Sequence, residues 1–273
     1  MAKKKGTSRR KIAKRTTIGP KYLYRYRPFN QFSISELANQ NVWFSSVNDF
    51  NDPFEVILDR FTPVLTNGYS GSSEYLSTPE TKQLHEMLKD IFTTLGLLCF
   101  TTKNNNTLMW SHYADSHKGF CIEYERDPTN DFWKQVEPVN YVSTVKPILE
   151  LVTEIFDIKL FKSKPVNPER FPQLIDTLIK KSIYCKDKSW AYENEWRFMC
   201  SKTEPGLSRT PLKISRIIFG LRLSPWDRET LLNLTRNIKG IEYQHANGAI
   251  KDNFEMEIVD DFPFSKVNFE TIK

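Results

Sequence analysis

The sequence predicts an α+β fold, on three observations: strand patterns dominate both ends of the chain, helical patterns cluster in its middle, and neither an internal repeat nor an interdomain linker interrupts it. Residues 1–19 read as a disordered basic tail and 20–273 as a single α+β domain, a length within the range of one domain and sufficient for a sizeable core. Tyr22 to Arg27 alternate as a strand, with Tyr22, Tyr24 and Tyr26 on one face and Leu23, Arg25 and Arg27 on the other, and Pro28 ends the run. Ser33 is the expected N-cap of a short helix through about Asn39, with Glu36 in the capping-box position. Residues 42–46 form a second strand, 48–53 a turn, 63–79 a mobile loop rich in Gly, Ser, Thr and Pro, and about 80–94 a helix. Strands are expected at 95–102, 119–124 and 136–142, helices at 145–161 and 169–184, and a strand of alternating charged and aromatic residues at 190–200. A strand at 214–219 leads through Ser224-Pro225, an N-cap and first-turn pair, into a helix at 225–237, and strands near 241–245 and 254–259 close the domain.

The formal net charge of +6 belongs to the tail. Residues 1–15 hold eight of the 39 Lys and Arg and no acid, so the remainder sets 31 bases against 33 acids, a net of −2. The globular part therefore has no excess charge with which to grip phosphates. The tail reads as a solvated arm whose contact with nucleic acid would be weak and salt-sensitive, and it lacks the apolar residues of an amphipathic transit peptide. Neither a secretory apolar stretch nor a run of about 18 apolar residues occurs, so no membrane association is expected. Cys99, Cys121, Cys185 and Cys200 form no C-x-x-C pair and sit among apolar neighbours, as reduced cysteines of a cytoplasmic protein do.

Three clusters carry chemistry. The densest runs from Met109 to Gly119 and places Trp110, His112, Tyr113, Asp115, His117 and Lys118 together. The second is Glu193-Asn194-Glu195-Trp196-Arg197, where a strand would set Glu193, Glu195 and Arg197 on one face, so that one carboxylate pairs with the guanidinium and the other stays available as base or anion. The third is Arg25 with Arg27, two guanidinium forks suited to phosphate or carboxylate. Each also has a structural reading: a hydrogen-bonded histidine, a salt bridge, ordinary ion pairs on a strand face. His112, His117 and Cys121 follow no common zinc spacing, so no metal is expected. Walker, G-x-G-x-x-G and G-x-S-x-G patterns are missing.

Seven short segments, in order, carry a resemblance: Leu23-Tyr24-Arg25-Tyr26-Arg27, Val42-Trp43-Phe44-Ser45-Ser46, Phe50-Asn51-Asp52-Pro53-Phe54-Glu55, Cys99-Phe100-Thr101, Met109-Trp110-Ser111-His112-Tyr113, Gly119-Phe120-Cys121-Ile122-Glu123-Tyr124 and Glu195-Trp196-Arg197. With them the chain resembles the bacterial domain of unknown function 2971 family, which implies no particular activity. The order of an early strand with Arg, a short helix, a second strand ending in small hydroxyl residues and a late strand bearing Glu is also similar to ADP-ribosyltransferase-like folds, in which mixed or antiparallel sheets hold NAD. That similarity implies NAD as substrate, Arg25, Arg27, Tyr113 and Ser45 as its binding residues, and Glu195, aided by His112, as the catalytic pair. The chain departs from that pattern in lacking a gap-free R-S-E or H-Y-E order and in carrying the helical stretch 145–184 ahead of the Glu. The expected function is NAD-using glycosyl transfer, by an ADP-ribosyltransferase or an NAD-cleaving relative, in bacterial stress or phage defence, acting on a small-molecule nucleotide. The rival is a non-enzymatic binding or regulatory module whose polar clusters fix the fold. A metal-free nuclease built on His112 and Glu195 fits less well, because the domain lacks positive charge.

Overall fold

Leu95–Thr101 (β3) is a nearly continuous apolar run, LGLLCFT, and the fold explains why: this strand is buried on both faces. Leu98 and Phe100 enter one core, while Leu95 and Leu97 enter another on the opposite side of the sheet. In the computed structural model the described residues are 19–50, 52, 55, 79–161, 169–201, 206–208, 212–248 and 256–260. The basic tail expected at 1–19 and the loop expected at 63–79 lie outside them, save for Gly19 and Pro79, and Pro79 is helical rather than part of a loop.

The remaining strands are Tyr22–Arg27 (β1), Val42–Phe44 (β2), Phe120–Glu125 (β4), Glu137–Pro138 (β5), Asn140–Val142 (β6), Cys185–Asp187 (β7), Glu195–Ser201 (β8), Gly206–Ser208 (β9), Ile214–Phe219 (β10), Glu242–Asn247 (β11) and Glu257–Asp260 (β12). The helices are Gln31–Asn39 (α1), Pro79–Thr93 (α2), Thr107–Tyr113 (α3), Asp131–Lys134 (α4), Lys146–Phe161 (α5), Arg170–Ile183 (α6) and Pro225–Thr235 (α7). Among the described residues eight strands form one sheet in the order β12-β11-β10-β4-β1-β3-β8-β5, and the pairs β2-β9 and β6-β7 stand apart. Within the large sheet β10 and β11 run parallel and every other pair is antiparallel, so the class is α+β with a mixed, largely antiparallel sheet.

One face of this sheet packs Leu23, Ile122 and Phe219 against Leu37 of α1, Trp133 of α4 and Leu231 of α7. The other face divides. At the β3-β8 end it lies under α2, α5 and α6, and at the β1-β4-β10 end Tyr26, Cys121 and Ile218 lie under Met109 and Trp110 of α3. The two ends meet weakly. β1 pairs with β4 along its whole length but with β3 only at Tyr24↔Thr101.

Local chemistry departs from expectation at two places. The N-cap of α1 is Asn30, whose side chain accepts from Ser33 N, so Ser33 is a helical residue and Glu36 is free of capping and turns to Arg25 and Arg27. The expected strand 190–200 is two elements: a 3-10 helix, Lys188–Glu193, and β8 from Glu195, divided by Asn194 in the left-handed conformation at φ 46°. Glu193 therefore does not share a strand face with Glu195. Between α3 and β4 the chain passes so close to β1 that a Cβ on Gly119 would sit 2.1 Å from the Arg27 carbonyl oxygen.

Candidate functional site

A cleft of about 230 Å³ lies where β1 and β3 part beyond their single joint. β8 and the preceding 3-10 helix bring Glu195, Arg197 and Glu193 to it, β7 brings Lys186, α3 brings Tyr113, and Glu55 enters from the segment after β2. Their charges close into one buried network. Lys186 Nζ lies 2.8 Å from Glu55, 2.5 Å from Glu193 and 3.2 Å from Glu195. Arg197 donates from Nε and Nη2 to the two oxygens of Glu195, each at 2.7 Å, from Nη2 to Glu55 at 3.1 Å, and from Nη1 to the Ile183 carbonyl at 2.6 Å. Such fork-to-carboxylate pairing is the strongest geometry available to an ion pair. The Arg197 plane also lies over the Phe50 ring, 4.9 Å from its centroid.

Further hydrogen bonds fix the carboxylates in place. The Tyr113 hydroxyl donates to Glu193 Oε1 at 2.6 Å, Thr101 donates to the Glu193 carbonyl at 2.5 Å, and Glu195 N donates to the Tyr141 hydroxyl at 2.8 Å. Three carboxylates face two cations, which leaves one negative charge in a buried place. The two glutamates of the E-x-E segment divide that burden unequally. Burial pushes Glu193 above the usual carboxylate range despite Lys186 beside it. Burial acts the same way on Glu195, but Arg197 and Lys186 outweigh it and hold the carboxyl down at about 2. Glu195 is thus a permanent anion and Glu193 the member that takes up a proton first. Burial and then the neighbouring Glu193 push Tyr113 upward, so it remains a neutral donor.

Of the residues expected at the site, Arg25, Arg27, Ser45, Tyr113 and Glu195 all border this cleft. Arg25 and Arg27 do so from the far side of the gap. They share a strand face with Leu23, and their guanidinium groups turn to Glu36, at 3.2 Å and 2.6 Å. Two forks on one carboxylate leave a positive charge. Burial and then Arg25 pull Arg27 down to about 10, and its Nε is buried without a hydrogen-bond partner among the described residues. Ser45 is held by paired backbone hydrogen bonds with Leu97. His112 is exposed on α3, its ring edge against Tyr113, and is not part of the cleft wall. The reason is helical geometry: Met109 and Tyr113, four apart, face inward, and the adjacent position turns away.

Much of the polarity after His112 serves the backbone. Asp115, Ser116 and His117 occupy three successive left-handed positions, φ 46°, 53° and 70°, and form the turn that returns α3 into β4. Glu55 and Lys186, two members of the network, are not among the site residues that the sequence alone points to. Glu55 ends the Phe50–Glu55 segment, which offered a signal, whereas Lys186 is a lone lysine with no distinguishing pattern. Among the described residues no three His, Cys, Asp or Glu are disposed to hold a metal ion, and no helix is long and apolar enough to cross a membrane.

Comparison with known proteins returned no match among curated proteins and none among solved structures. Residues 109–198, which bring Tyr113, Lys186, Glu193, Glu195 and Arg197 to the cleft, match the model of the family described as "Protein of unknown function (DUF2971)", and over this segment the resemblance to that family is shown.

Proposed function

We propose that the cleft is the active site of an NAD-using glycosyl-transfer enzyme, an ADP-ribosyltransferase or an NAD-cleaving relative with an ADP-ribosyltransferase-like arrangement of the split sheet. The observation that carries this reading is the pair Glu193 and Glu195: two neighbouring carboxyls whose surroundings drive them in opposite directions, the arrangement that assigns one to charge stabilisation and the other to proton transfer. In this reaction the bond between ribose C1′ and the nicotinamide nitrogen breaks, and nicotinamide leaves with the bonding pair. Glu195 stabilises the positive ribosyl centre that results. A bond forms from C1′ to the nucleophile, water or an acceptor, whose proton passes to Glu193. Tyr113 and Lys186 position Glu193, and the surplus charge of Arg25 and Arg27 meets the phosphates at the rim. The cleft is smaller than the roughly 300–1,000 Å³ of pockets that enclose a drug-sized ligand, so it takes the reacting end of the dinucleotide and leaves the rest along the rim.

One observation favours the other reading, a non-enzymatic module. Every charge of the Glu55, Lys186, Glu193, Glu195 and Arg197 network already has an internal partner, as a purely structural network requires. Nicotinamide release from NAD by the full chain separates the two. The enzyme reading expects turnover in the wild type and a loss on the order of 10²–10⁴ in Glu193→Gln, the size of effect that removing one general base produces. Wild-type protein that neither binds nor cleaves NAD sinks it and leaves the structural reading standing.

A further inference from the structure

A second concavity, a groove of about 560 Å³, lies behind the cleft between α4, β6, the start of α5 and the end of α6. Its volume falls within the roughly 300–1,000 Å³ of small-molecule sites, whereas the cleft's does not. We propose that this groove binds an organic anion with an apolar body, a carboxylate or phosphoester head on a hydrocarbon or aromatic stem. The proposal does not depend on the activity assigned to the cleft.

The head is read from the charges. Lys134, Lys180 and Lys181 line the groove against one carboxylate, Glu137. Lys134 and Lys180 hold only exposed partners within their own helices, Asp131 at 2.7 Å and Asp176 at 3.0 Å. Exposed pairs of this kind are weak enough for a ligand anion to displace. Lys180 and Lys181 stand in the last turn of α6, and lysine stems lie along apolar surface while their heads reach out. The body is read from the floor, which is built from Val142, Ile148, Tyr184 and Met199. Ile148 is buried and Tyr184 half-buried, so an apolar group placed there gains contacts on several sides. The groove also shares a wall with the cleft: Cys185 of β7 lines the groove and the next residue, Lys186, lines the cleft, as successive strand residues do.

The probes are octanoate and octyl phosphate, with octan-1-ol and octylammonium as controls, titrated into the full chain by calorimetry. Both anions are expected to bind saturably, and the tighter of the two names the head group. Octanol is expected to bind roughly tenfold more weakly, and the Lys180→Gln, Lys181→Gln double variant to lose roughly tenfold for the anions, since each forfeits a charge-assisted hydrogen bond. Location is read independently from Cys185, whose alkylation by iodoacetamide, followed by mass spectrometry against Cys200, should slow with the same midpoint as binding. No saturable binding of either anion, equal affinity for octanol, unchanged affinity in the double variant, or unaltered alkylation of Cys185 at saturation each overturns the proposal.

Discussion

Glu193 and Glu195 are two positions apart, both buried, and opposite in behaviour, and the difference lies chiefly in what faces them. Glu195 receives two of the three nitrogens of a guanidinium that never loses its charge, whereas Glu193 receives a phenol and an ammonium shared with two other carboxylates. The ion pair of Glu195 is therefore fully present above the ordinary glutamate value of about 4.3 and is lost as pH falls toward about 2. At neutral pH the depressed carboxyl contributes on the order of 3 kcal/mol to stability. Glu193 has the reverse sign: its raised value costs nothing below the ordinary range and costs more as pH climbs through it. Two outcomes follow, read by urea unfolding between pH 2 and pH 8. Glu195→Gln is expected to lose about 3–5 kcal/mol at pH 7, because Arg197 is left buried beside a neutral amide, and the gap from wild type narrows in acid. Glu193→Gln is expected to lose distinctly less at pH 7, since burial already works against the Glu193 anion and Lys186 keeps Glu55 and Glu195 as partners. Equal losses in the two variants would contradict the division of roles, and a Glu195→Gln deficit independent of pH would remove the ionised pair as its cause.

The offset between the two glutamates is set by the elements that carry them. Asn194 closes the 3-10 helix with its N–H on the Ala191 carbonyl, and its left-handed backbone redirects the chain into β8. A β-branched residue pays roughly 1–2 kcal/mol in that conformation and glycine pays almost none. Asn194→Val is expected to fall by that amount in thermal or chemical unfolding and to reduce any activity of the cleft, while Asn194→Gly keeps both; equal behaviour of the two variants would deny the joint its role. The same joint shows what the sequence concealed. Trp190, Tyr192, Trp196 and Phe198 keep period two straight through Asn194, so alternation alone reads one strand where there are two elements. β1, β3, β4, β10 and the helices from α5 to α7 were legible because each carries its own period and most carry their own stop signals. Ser33 and Glu36 fit a capping box by spacing, yet Asn30 won the cap because its side chain, three residues earlier, accepts from the Ser33 amide and starts the helix ahead of Ser33. β7 and β9 are three residues long, too short for any period to register. Arg25, Arg27, Tyr113 and Glu195 were legible as a polar set, whereas the partnership of Glu55 with Lys186 and Arg197 spans more than 130 residues and exists only in the tertiary fold.

At the scale of the molecule, the large sheet is two blocks joined at one residue pair, Tyr24↔Thr101, with the cleft in the gap and different helices packed behind each block. Positive charge borders the gap on the β1 side and the surplus carboxylate lies on the β8 side. A ligand that carries a phosphate at one end and a developing cation at the other bridges the blocks, and its binding must therefore tighten both. Glu193→Gln protein holds NAD without consuming it on the reading proposed above, which makes it the material for hydrogen exchange. With NAD at a hundred times its dissociation constant the folded state gains about 2.7 kcal/mol, which for a chain of this size raises the melting temperature by roughly 5 °C. The exchange of 24–27 on one block and of 97–101 and 193–197 on the other should slow together, because both walls contact one molecule. The end of α6 at 178–181, which borders the separate groove and carries no strand pairing to β8, should exchange as before. Protection confined to one block would mean that the ligand does not span the gap, and the assignment of Arg25 and Arg27 to its phosphates would then fail even if NAD binds.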